Sequence, residues 1–196
     1  MILSDHDIHA SLARGHIRVD PLFPNSIQPA SVDLHLGADF LIFRNTDSTC
    51  LDPKEPTEQL MEEVSISADR QFVLHPGEFA LGMTYETVTV PSDLVLQLNG
   101  KSSLGRLGLI VHTTAGYIDP GNSLKITLEL VNLATLPIKL YYKMPIAQAV
   151  FVKLSSPADV PYASGNLESK YFGDTKPKAS QYYKNFLKNN EWVDFE

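Results

Sequence analysis

Apolar and polar residues alternate in short runs along most of the chain, and Pro, Gly, Asn and Asp separate these runs. A period of two residues is that of a strand with one buried face. The runs read SVDLHLGADFLIF, QFVLHPGEFALGMTYETVTVP, LVLQLNG, LKITLELVN, LPIKLYY and IAQAVFVKL. Strands do not alternate with helices in the rhythm of a parallel nucleotide-binding sheet. The pattern therefore predicts a mostly β sandwich or barrel.

The two ends of the chain depart from this pattern. The segment LSDHDIHASLARGHI predicts a short helix, with Ser4 as its N-cap and Gly15 as its C-cap. After the last strand the sequence is rich in Ser, Pro, Gly, Lys and Tyr, yet it holds six Tyr or Phe residues between positions 162 and 186. So many aromatic residues indicate a tail that a ligand or partner orders. We predict one domain over residues 1–196, of which about 156–196 form this C-terminal tail.

The segment LQLNGKSSLGRLG contains a Gly-Lys-Ser sequence that is typical of a phosphate-binding loop. A Walker loop requires a glycine five residues before its second glycine, where this chain has Val95, and it leads from a strand into a helix. Three glycines nevertheless surround Lys101, two serines and Arg106 within nine residues. Backbone N–H groups, hydroxyl groups and two cations together suit a polyphosphate. The segment is a candidate phosphate site after a β-strand, and an ordinary basic turn is the alternative.

Three further polar side chains are candidates for chemistry. Glu129 lies in mid-strand in KITLELVN, where β-propensity disfavours it, and it shares a face with Thr127. That face is either solvated or holds a carboxylate for general acid–base work, and the pattern leaves both interpretations open. Asp119 in AGYIDPGN is typical of a turn. Gln148 stands among apolar neighbours and needs hydrogen-bond partners from the backbone or a ligand.

The composition narrows the classes of function. A single cysteine, Cys50, excludes a disulfide framework and the zinc site of nucleic-acid deaminases, which needs P-C-x-x-C. The six histidines show no metal-ligand spacing. No run approaches the roughly 18 apolar residues of a membrane span, and the acidic N-terminus lacks the features of a signal peptide. We therefore expect a cytoplasmic protein that binds no membrane.

Charge is distributed unevenly along this acidic chain, whose formal net charge is −7. That net charge argues against general binding to nucleic acid. Residues 139–188 nevertheless contain eight lysines and three acids, whereas residues 47–69 contain seven acids and one lysine. The C-terminal third is the cationic part of the chain and could face a small anionic ligand.

The segment GKSSLGRLGLIVHTTAGYIDPG, followed by ITLEL, closely resembles the dCTP deaminase family within the dUTPase-like superfamily. The likeness extends over nearly the whole chain, from LSDHDI through QPASVDLHLG and FVLHPGEFALG to SSPADVPY and SKYFG. The resemblance implies a distorted β-barrel (β-clip) of the dUTPase type. It also implies a homotrimer with active sites between subunits, in which the C-terminal tail closes over the nucleotide as a lid.

The family's site residues carry over onto matching positions. The resemblance implies catalytic roles for Glu129, Ser102 and Arg106. It implies nucleotide contacts for Lys101, Ser102, Ser103, Leu104, Gly105, Arg106, Asp119, Thr127, Leu128, Glu129, Gln148, Tyr162, Lys170 and Asp174. Asp174 is a departure, because the family usually has glutamine there. An acid near a triphosphate needs compensation from magnesium or a lysine.

The reaction that the resemblance implies needs no zinc. Glu129 would take a proton from water as the water attacks C4 of cytosine, and would then protonate the leaving amino group. Magnesium would bind through the triphosphate and water, so no residue is expected to ligate a metal. The expected substrate is dCTP, and dTTP is an expected feedback inhibitor.

Gly116-Tyr117 distinguishes two branches of the family. Members that form dUMP, ammonia and diphosphate directly have Gly and an aromatic residue after Thr-Ala, whereas members that stop at dUTP typically have His-Arg. The chain resembles the bifunctional branch, which supplies dUMP for thymidylate synthesis, although Asn122-Ser123-Leu124 departs from its usual Phe-x-Gly. The alternatives are a monofunctional deaminase, a dUTPase, whose usual glycine-rich C-terminal motif is missing from the tail, and a nucleotide sensor without turnover.

Overall fold

The computed structural model of the protein describes residues 1–44, 48–112, 114, 116–165, 167, 169–188 and 191–192. Parts of the predicted tail (166, 168, 189–190 and 193–196), and Thr113 and Ala115 before Gly116, lie outside the described residues. The helices are α1 (Asp5–Ala13) and α2 (Ser102–Gly105), with 3-10 turns at Glu58–Leu60 and Tyr182–Phe186.

The strands in chain order are β1 (Arg18–Asp20), β2 (Ile27–Gln28), β3 (Ser31–His35), β4 (Asp39–Phe43), β5 (Met61–Ser65), β6 (Phe72–Leu74), β7 (Phe79–Thr89), β8 (Leu94–Gly100), β9 (Leu109–Ile110), β10 (Tyr117–Ile118), β11 (Ser123–Asn132), β12 (Ile138–Leu140), β13 (Pro145–Lys153), β14 (Leu187–Lys188) and β15 (Glu191–Trp192).

Two antiparallel sheets form the body of the fold. One has the order β5-β4-β7-β11-β9, with β1 also paired to β7, and the other has the order β10-β8-β13-β3-β2. The pairs β12-β6 and β14-β15 complete the strand pairing of the described residues. This architecture confirms the predicted mostly β class. In the described part of the chain, no helix is long and apolar enough to cross a membrane.

The N-terminal helix forms as predicted, with one difference at its end. The Ser4 hydroxyl accepts a hydrogen bond from the Asp7 backbone N–H and caps α1. The C-cap is Arg14 and not the predicted Gly15. Gly15 is the next residue, and its φ of +66° is the left-handed conformation in which helices commonly terminate.

Strand β11 separates the core from the outer face of the larger sheet. Ile126, Leu128 and Leu130 are at most 1% exposed and belong to the hydrophobic core. Burial of such a side chain contributes about 1.5–3 kcal/mol. Thr127 and Glu129 alternate with them and are half-buried on the opposite face. The predicted division of this strand into two faces is confirmed.

A β-bulge lies just before the polar residues of β11. The pairing of β11 with β7 shifts register between Lys125 and Thr127. At the shift, the Thr84 hydroxyl accepts a hydrogen bond of 2.8 Å from the Ile126 backbone N–H and donates one of 2.8 Å to the Glu86 carbonyl. The threonine hydroxyl thus supplies a hydrogen-bond partner to two backbone groups that the interrupted ladder leaves unpaired. Buried backbone groups at a bulge need such partners.

A buried acid–histidine contact joins the two sheets. One carboxylate oxygen of Glu86 on β7 accepts a hydrogen bond of 2.9 Å from the His35 backbone N–H on β3, and the other lies 2.5 Å from His35 Nδ1. Glu86 is 1% exposed and His35 is 8% exposed. Buried polar groups are stable only when they are paired, so this contact holds β3 and β7 in one arrangement.

The C-terminal tail packs against the larger sheet. The Asp174 carbonyl accepts a hydrogen bond of 2.8 Å from the Lys125 backbone N–H on β11. Ala179 is buried in a small cluster with Leu41 and Met61. The described part of the tail is therefore ordered by contacts with the sheet that carries Glu129.

Two tyrosine hydroxyls stabilise turns within the tail. The Tyr162 hydroxyl accepts the backbone N–H of Tyr171 at 3.2 Å, and the Tyr171 hydroxyl accepts the backbone N–H of Gln181 at 3.0 Å. Burial raises the pKa of Tyr162, the N–H of Tyr171 lowers it, and the carboxylates of Asp119 and Asp174 add to the increase.

Replacing Glu86 by alanine should lower the free energy of unfolding by about 3–5 kcal/mol, because it removes one member of a buried pair. Denaturant unfolding followed by circular dichroism measures this change. The control is Glu62→Ala, which removes an exposed acid on β5 and should change stability by about 0.5 kcal/mol or less. Equal effects of the two substitutions would contradict the structural role of Glu86.

Tyr162 should titrate above the usual tyrosine value of about 10, because burial disfavours tyrosinate. The raised pKa stabilises the folded chain below about pH 10, and this contribution is lost as pH rises through the folded pKa. The difference in tyrosinate absorbance between the wild type and Tyr162→Phe, followed against pH, isolates this residue. A midpoint at or below 10 would mean that the hydroxyl is solvated.

Candidate active site

A cavity of about 810 Å³ lies between the outer face of β11, the tail and the loop between β4 and β5. This volume falls in the usual range for small-molecule sites. Apolar side chains from β4, β5 and β7 form part of its wall, namely Phe43, Met61, Phe79 and Leu81. The cavity is therefore suited to a ligand with an apolar face, such as a planar ring.

The cavity gathers six of the residues predicted from the sequence. They come from separate parts of the chain: Tyr117, Asp119, Thr127, Glu129, Tyr162 and Asp174. Further polar side chains in the wall include His112 and Asn122. The convergence of distant polar groups in one apolar cleft is characteristic of a binding site.

Glu129 projects from the middle of β11 into the cavity. The Thr114 hydroxyl donates a hydrogen bond of 3.3 Å to Glu129 Oε2. Leu128, between Thr127 and Glu129, is fully buried in the core, so it can present only its backbone to a ligand. The sequence allowed two interpretations for the face that holds Glu129, namely a solvated face and a functional face. The structure places Glu129 in the wall of the cavity.

Asp119 lies both in a turn and in the cavity wall. The Asn122 N–H donates a hydrogen bond of 3.2 Å to the Asp119 carbonyl. Gly121 has φ +87°, and a Cβ there would lie 2.5 Å from Pro161 Cβ, so the turn requires glycine. The Pro120 carbonyl accepts the Tyr162 N–H at 2.7 Å, which brings the tail against this turn.

Gly116 and Tyr117 connect the cavity to the second sheet. The Gly116 carbonyl accepts a hydrogen bond of 2.6 Å from the Leu98 N–H on β8, and a Cβ on Gly116 would lie 3.1 Å from the Leu98 carbonyl oxygen. Close approach of two backbones explains the glycine. Tyr117 is 65% exposed and lines the cavity. It is also paired with Gln97 in the ladder between β10 and β8.

Asp174 is buried at 3% exposure and is paired with a lysine. Lys178 Nζ donates to Asp174 Oδ1, and Lys178 also lines the cavity. The negative charge of Asp174 is thus compensated within the tail by an ion pair with Lys178, four residues later.

The predicted phosphate segment lies outside this cavity. Ser102, Ser103, Leu104 and Gly105 form α2, Arg106 follows them, and none of the residues from Lys101 to Arg106 lines the cavity. Ser102, Ser103, Gly105 and Arg106 are exposed. A strand does run directly into the segment, since β8 ends at Gly100, and the short helix that follows is only one turn long.

Lys101 and Gln148 come together on the smaller sheet. Lys101 Nζ lies 2.7 Å from Asp33 Oδ1. The Gln148 amide donates to the same carboxylate at 3.3 Å and to the Ser31 hydroxyl at 3.2 Å. The sequence predicts that Gln148 needs hydrogen-bond partners, and these partners are side chains of β3.

Lys170 is placed within the tail, away from the cavity wall. Its amine donates a hydrogen bond to Asn185 Oδ1. The predicted site residues thus divide into three sets: the acidic and aromatic residues of the cavity, the residues around Lys101 on the smaller sheet, and Lys170 in the tail.

The charge of the cavity wall differs from that of the phosphate segment. Its lining carboxylates are Asp52, Glu55, Asp119, Glu129 and Asp174, and Lys178 is the one lysine among the lining residues that the structure describes. Such a wall favours an uncharged base and sugar over a triphosphate, which carries several negative charges. The cations that suit the phosphates lie on the exposed segment after β8.

Sequence reasoning missed several residues of the site. Thr114 and Asp33 stand in the resembling motifs, but their roles depend on contacts with β11 and with Lys101 that no local pattern specifies. The loop between β4 and β5 contributes Leu51 and Asp52 to the wall; its acidic bias was visible in the sequence, but its contact with the cavity was not. Lys178 was visible as one of many lysines in the tail, without an indication of its partner.

Comparisons with known proteins identify the family of the chain. The family model for dCTP deaminase-like proteins matches residues 2–154. The chain is 48% identical over 186 residues to a Corynebacterium kroppenstedtii protein named dCTP deaminase, dUMP-forming. The alignment covers 95% of this chain and 100% of that protein. It is 50% identical over 188 residues to the protein of that name from Mycobacterium sp. strain KMS, with 96% and 99% of the two chains covered.

A solved structure is also similar. The 2′-deoxycytidine 5′-triphosphate deaminase from Agrobacterium tumefaciens matches with a TM-score of 0.60 and 25% sequence identity, over 76% of this chain and 47% of that chain. The present chain thus spans about half the length of the Agrobacterium protein. These matches confirm the resemblance that rests on the central motif, including the likeness to dUMP-forming members. The chain belongs to the dCTP deaminase-like family.

Proposed function

We propose that the protein hydrolyses dCTP to dUMP, ammonia and diphosphate. The observation that carries this proposal is an identity of about one half, over 95% of the chain, to relatives named dUMP-forming dCTP deaminases. The cavity with Glu129 in its wall supports it, because the same geometry can hold a pyrimidine ring against an acid–base group. Formation of dUMP from dCTP consumes two water molecules and would supply the precursor of thymidylate.

Glu129 is the proposed acid–base group for the deamination. Its carboxylate accepts a proton as a water molecule adds to C4 of cytosine, and it then gives a proton to the amino group, which leaves as ammonia. The C4–N bond breaks as the carbonyl of uracil forms. Thr114 donates to Glu129 Oε2 and thereby favours one orientation of the carboxylate. Thr127, on the same face of β11, lies in reach of the ring edge.

Cleavage between the α and β phosphates is assigned to the second water molecule. Attack on the α phosphorus releases diphosphate and leaves dUMP. Magnesium bound through the triphosphate would enter with the substrate, and it would supply charge neutralisation for the departing diphosphate. Gly116 and Tyr117 support this second step, since they connect the cavity wall to β8, the strand that leads into Lys101 and Ser102.

The protein is proposed to act as a homotrimer in which two subunits complete each site. The residues that suit the base and sugar line the cavity, whereas Lys101, Ser102 and Arg106 are placed outside it. A neighbouring subunit would bring its exposed segment after β8 to the triphosphate end of the cavity, where Ser102 and Arg106 would face the phosphates and the reacting water. By the same resemblance, dTTP should compete for this site as an inhibitor.

Incubation with dCTP and magnesium, without any added dUTPase, should give dUMP, ammonia and diphosphate in equal amounts. Separation of the nucleotides by ion exchange and an ammonia assay measure the products. Accumulation of dUTP would support a monofunctional deaminase. Release of diphosphate from dUTP, with no ammonia from dCTP, would indicate a dUTPase, and binding without turnover would indicate a sensor.

Mixed trimers should recover activity from two inactive variants. Glu129→Gln should abolish deamination while nucleotide binding persists, and Arg106→Ala should abolish turnover by removing a contact to the phosphates, each with a loss of about 10²–10⁴-fold. Random mixing of equal amounts should restore about a quarter of the wild-type activity, because one site in four then combines an intact Arg106 with an intact Glu129 from a different chain. Persistent inactivity of the mixture would place both residues in the same subunit.

A further inference from the structure

The ion pair between Asp174 and Lys178 lies at the wall of the cavity. The Asp174 side chain is nearly fully buried, whereas the Lys178 side chain is 49% exposed. The Asp174 backbone is fixed by its hydrogen bond from Lys125 on β11, so the carboxylate is attached to the strand that carries Glu129. A buried, anchored carboxylate therefore holds an accessible ammonium group at the cavity.

The arrangement leaves Lys178 able to bind a second group. A lysine ammonium has three N–H donors, and Asp174 Oδ1 takes one of them. Because half of the side chain is already in contact with solvent, a ligand can reach the amine without a large desolvation cost. Lys176, two residues earlier, is also exposed, but it faces Glu63 at 3.9 Å and does not line the cavity.

The cavity wall carries an excess of negative charge, which Lys178 partly offsets. Five carboxylates line the cavity, and Lys178 is the lysine among its described lining residues. Where the triphosphate meets this wall, Lys178 would reduce repulsion by the carboxylates, in addition to the cations proposed to come from the neighbouring subunit.

We infer that Lys178 is a nucleotide-binding residue, which donates a charge-assisted hydrogen bond to a phosphate oxygen of the substrate, and that Asp174 is the positioning residue that holds it there. The inference rests on the proposed function and adds a same-chain cation to the phosphate end of the site. Charge-assisted hydrogen bonds are among the stronger polar contacts in proteins.

The test compares steady-state kinetics with dCTP and magnesium for the wild type, Lys178→Gln and the matched control Lys176→Gln. Lys178→Gln should raise KM about tenfold, with kcat changed by less than about threefold, since the lost contact concerns binding and not the reacting carbon. Lys176→Gln should leave both constants within about twofold of the wild type. A KM for Lys178→Gln equal to that of Lys176→Gln would overturn the inference.

A double variant separates binding from simple neutralisation of Asp174. If Lys178 only neutralises the buried acid, Asp174→Asn combined with Lys178→Gln should return KM to the wild-type value, because neither charge remains. If Lys178 binds phosphate, KM stays raised about tenfold in the double variant. Thermal unfolding of each variant, by circular dichroism, identifies any that do not fold. The double variant contains no unpaired buried charge, so it keeps the test decisive if Lys178→Gln alone does not fold.

A conservative variant and the wild-type enzyme complete the design. Lys178→Arg keeps the positive charge and should keep KM within about threefold of the wild type. A tenfold increase in this variant would contradict a charge-based contact. Failure of the proposed function is distinguishable, because it would appear as an absence of dCTP turnover in the wild type, before any variant is compared.

Discussion

The direction of Glu129 depends on the two-residue period of β11. Ile126, Leu128 and Leu130 fill the core, so the side chains between them must point away from it. The burial that stabilises the strand therefore also directs Thr127 and Glu129 into the cavity. A slip of one residue would exchange the two faces and expose the whole apolar set to water. The hydrophobic core thus determines the direction of the carboxylate.

Local periodicity was enough to predict the mostly β class, the N-terminal helix and the two faces of β11, because each follows from neighbours in the sequence. The surroundings of Glu129 could not be predicted from the pattern, since an outer strand face is solvated unless another segment covers it. Here the cover comes from the tail and from the loop between β4 and β5. Long-range contacts of this kind, such as Glu86 with His35, leave no periodic signal.

The separation of charge within one chain is the other organising feature. Carboxylates line the cavity, while Lys101 and Arg106 flank α2 outside it. Asp33 pairs with Lys101, so this cation is held in position by a contact within the chain. A cation that is already held in place does not need to be ordered during binding, which lowers the entropic cost of binding an anion such as a triphosphate.

Gly116 also constrains which residues this position of the chain can hold. Its carbonyl lies 2.6 Å from the Leu98 nitrogen, and a Cβ at this position would come within 3.1 Å of the Leu98 carbonyl oxygen. Any side chain here requires β10 and β8 to move apart by a few tenths of an ångström. An exchange of Gly-Tyr for His-Arg is therefore a change of backbone spacing as well as of chemistry.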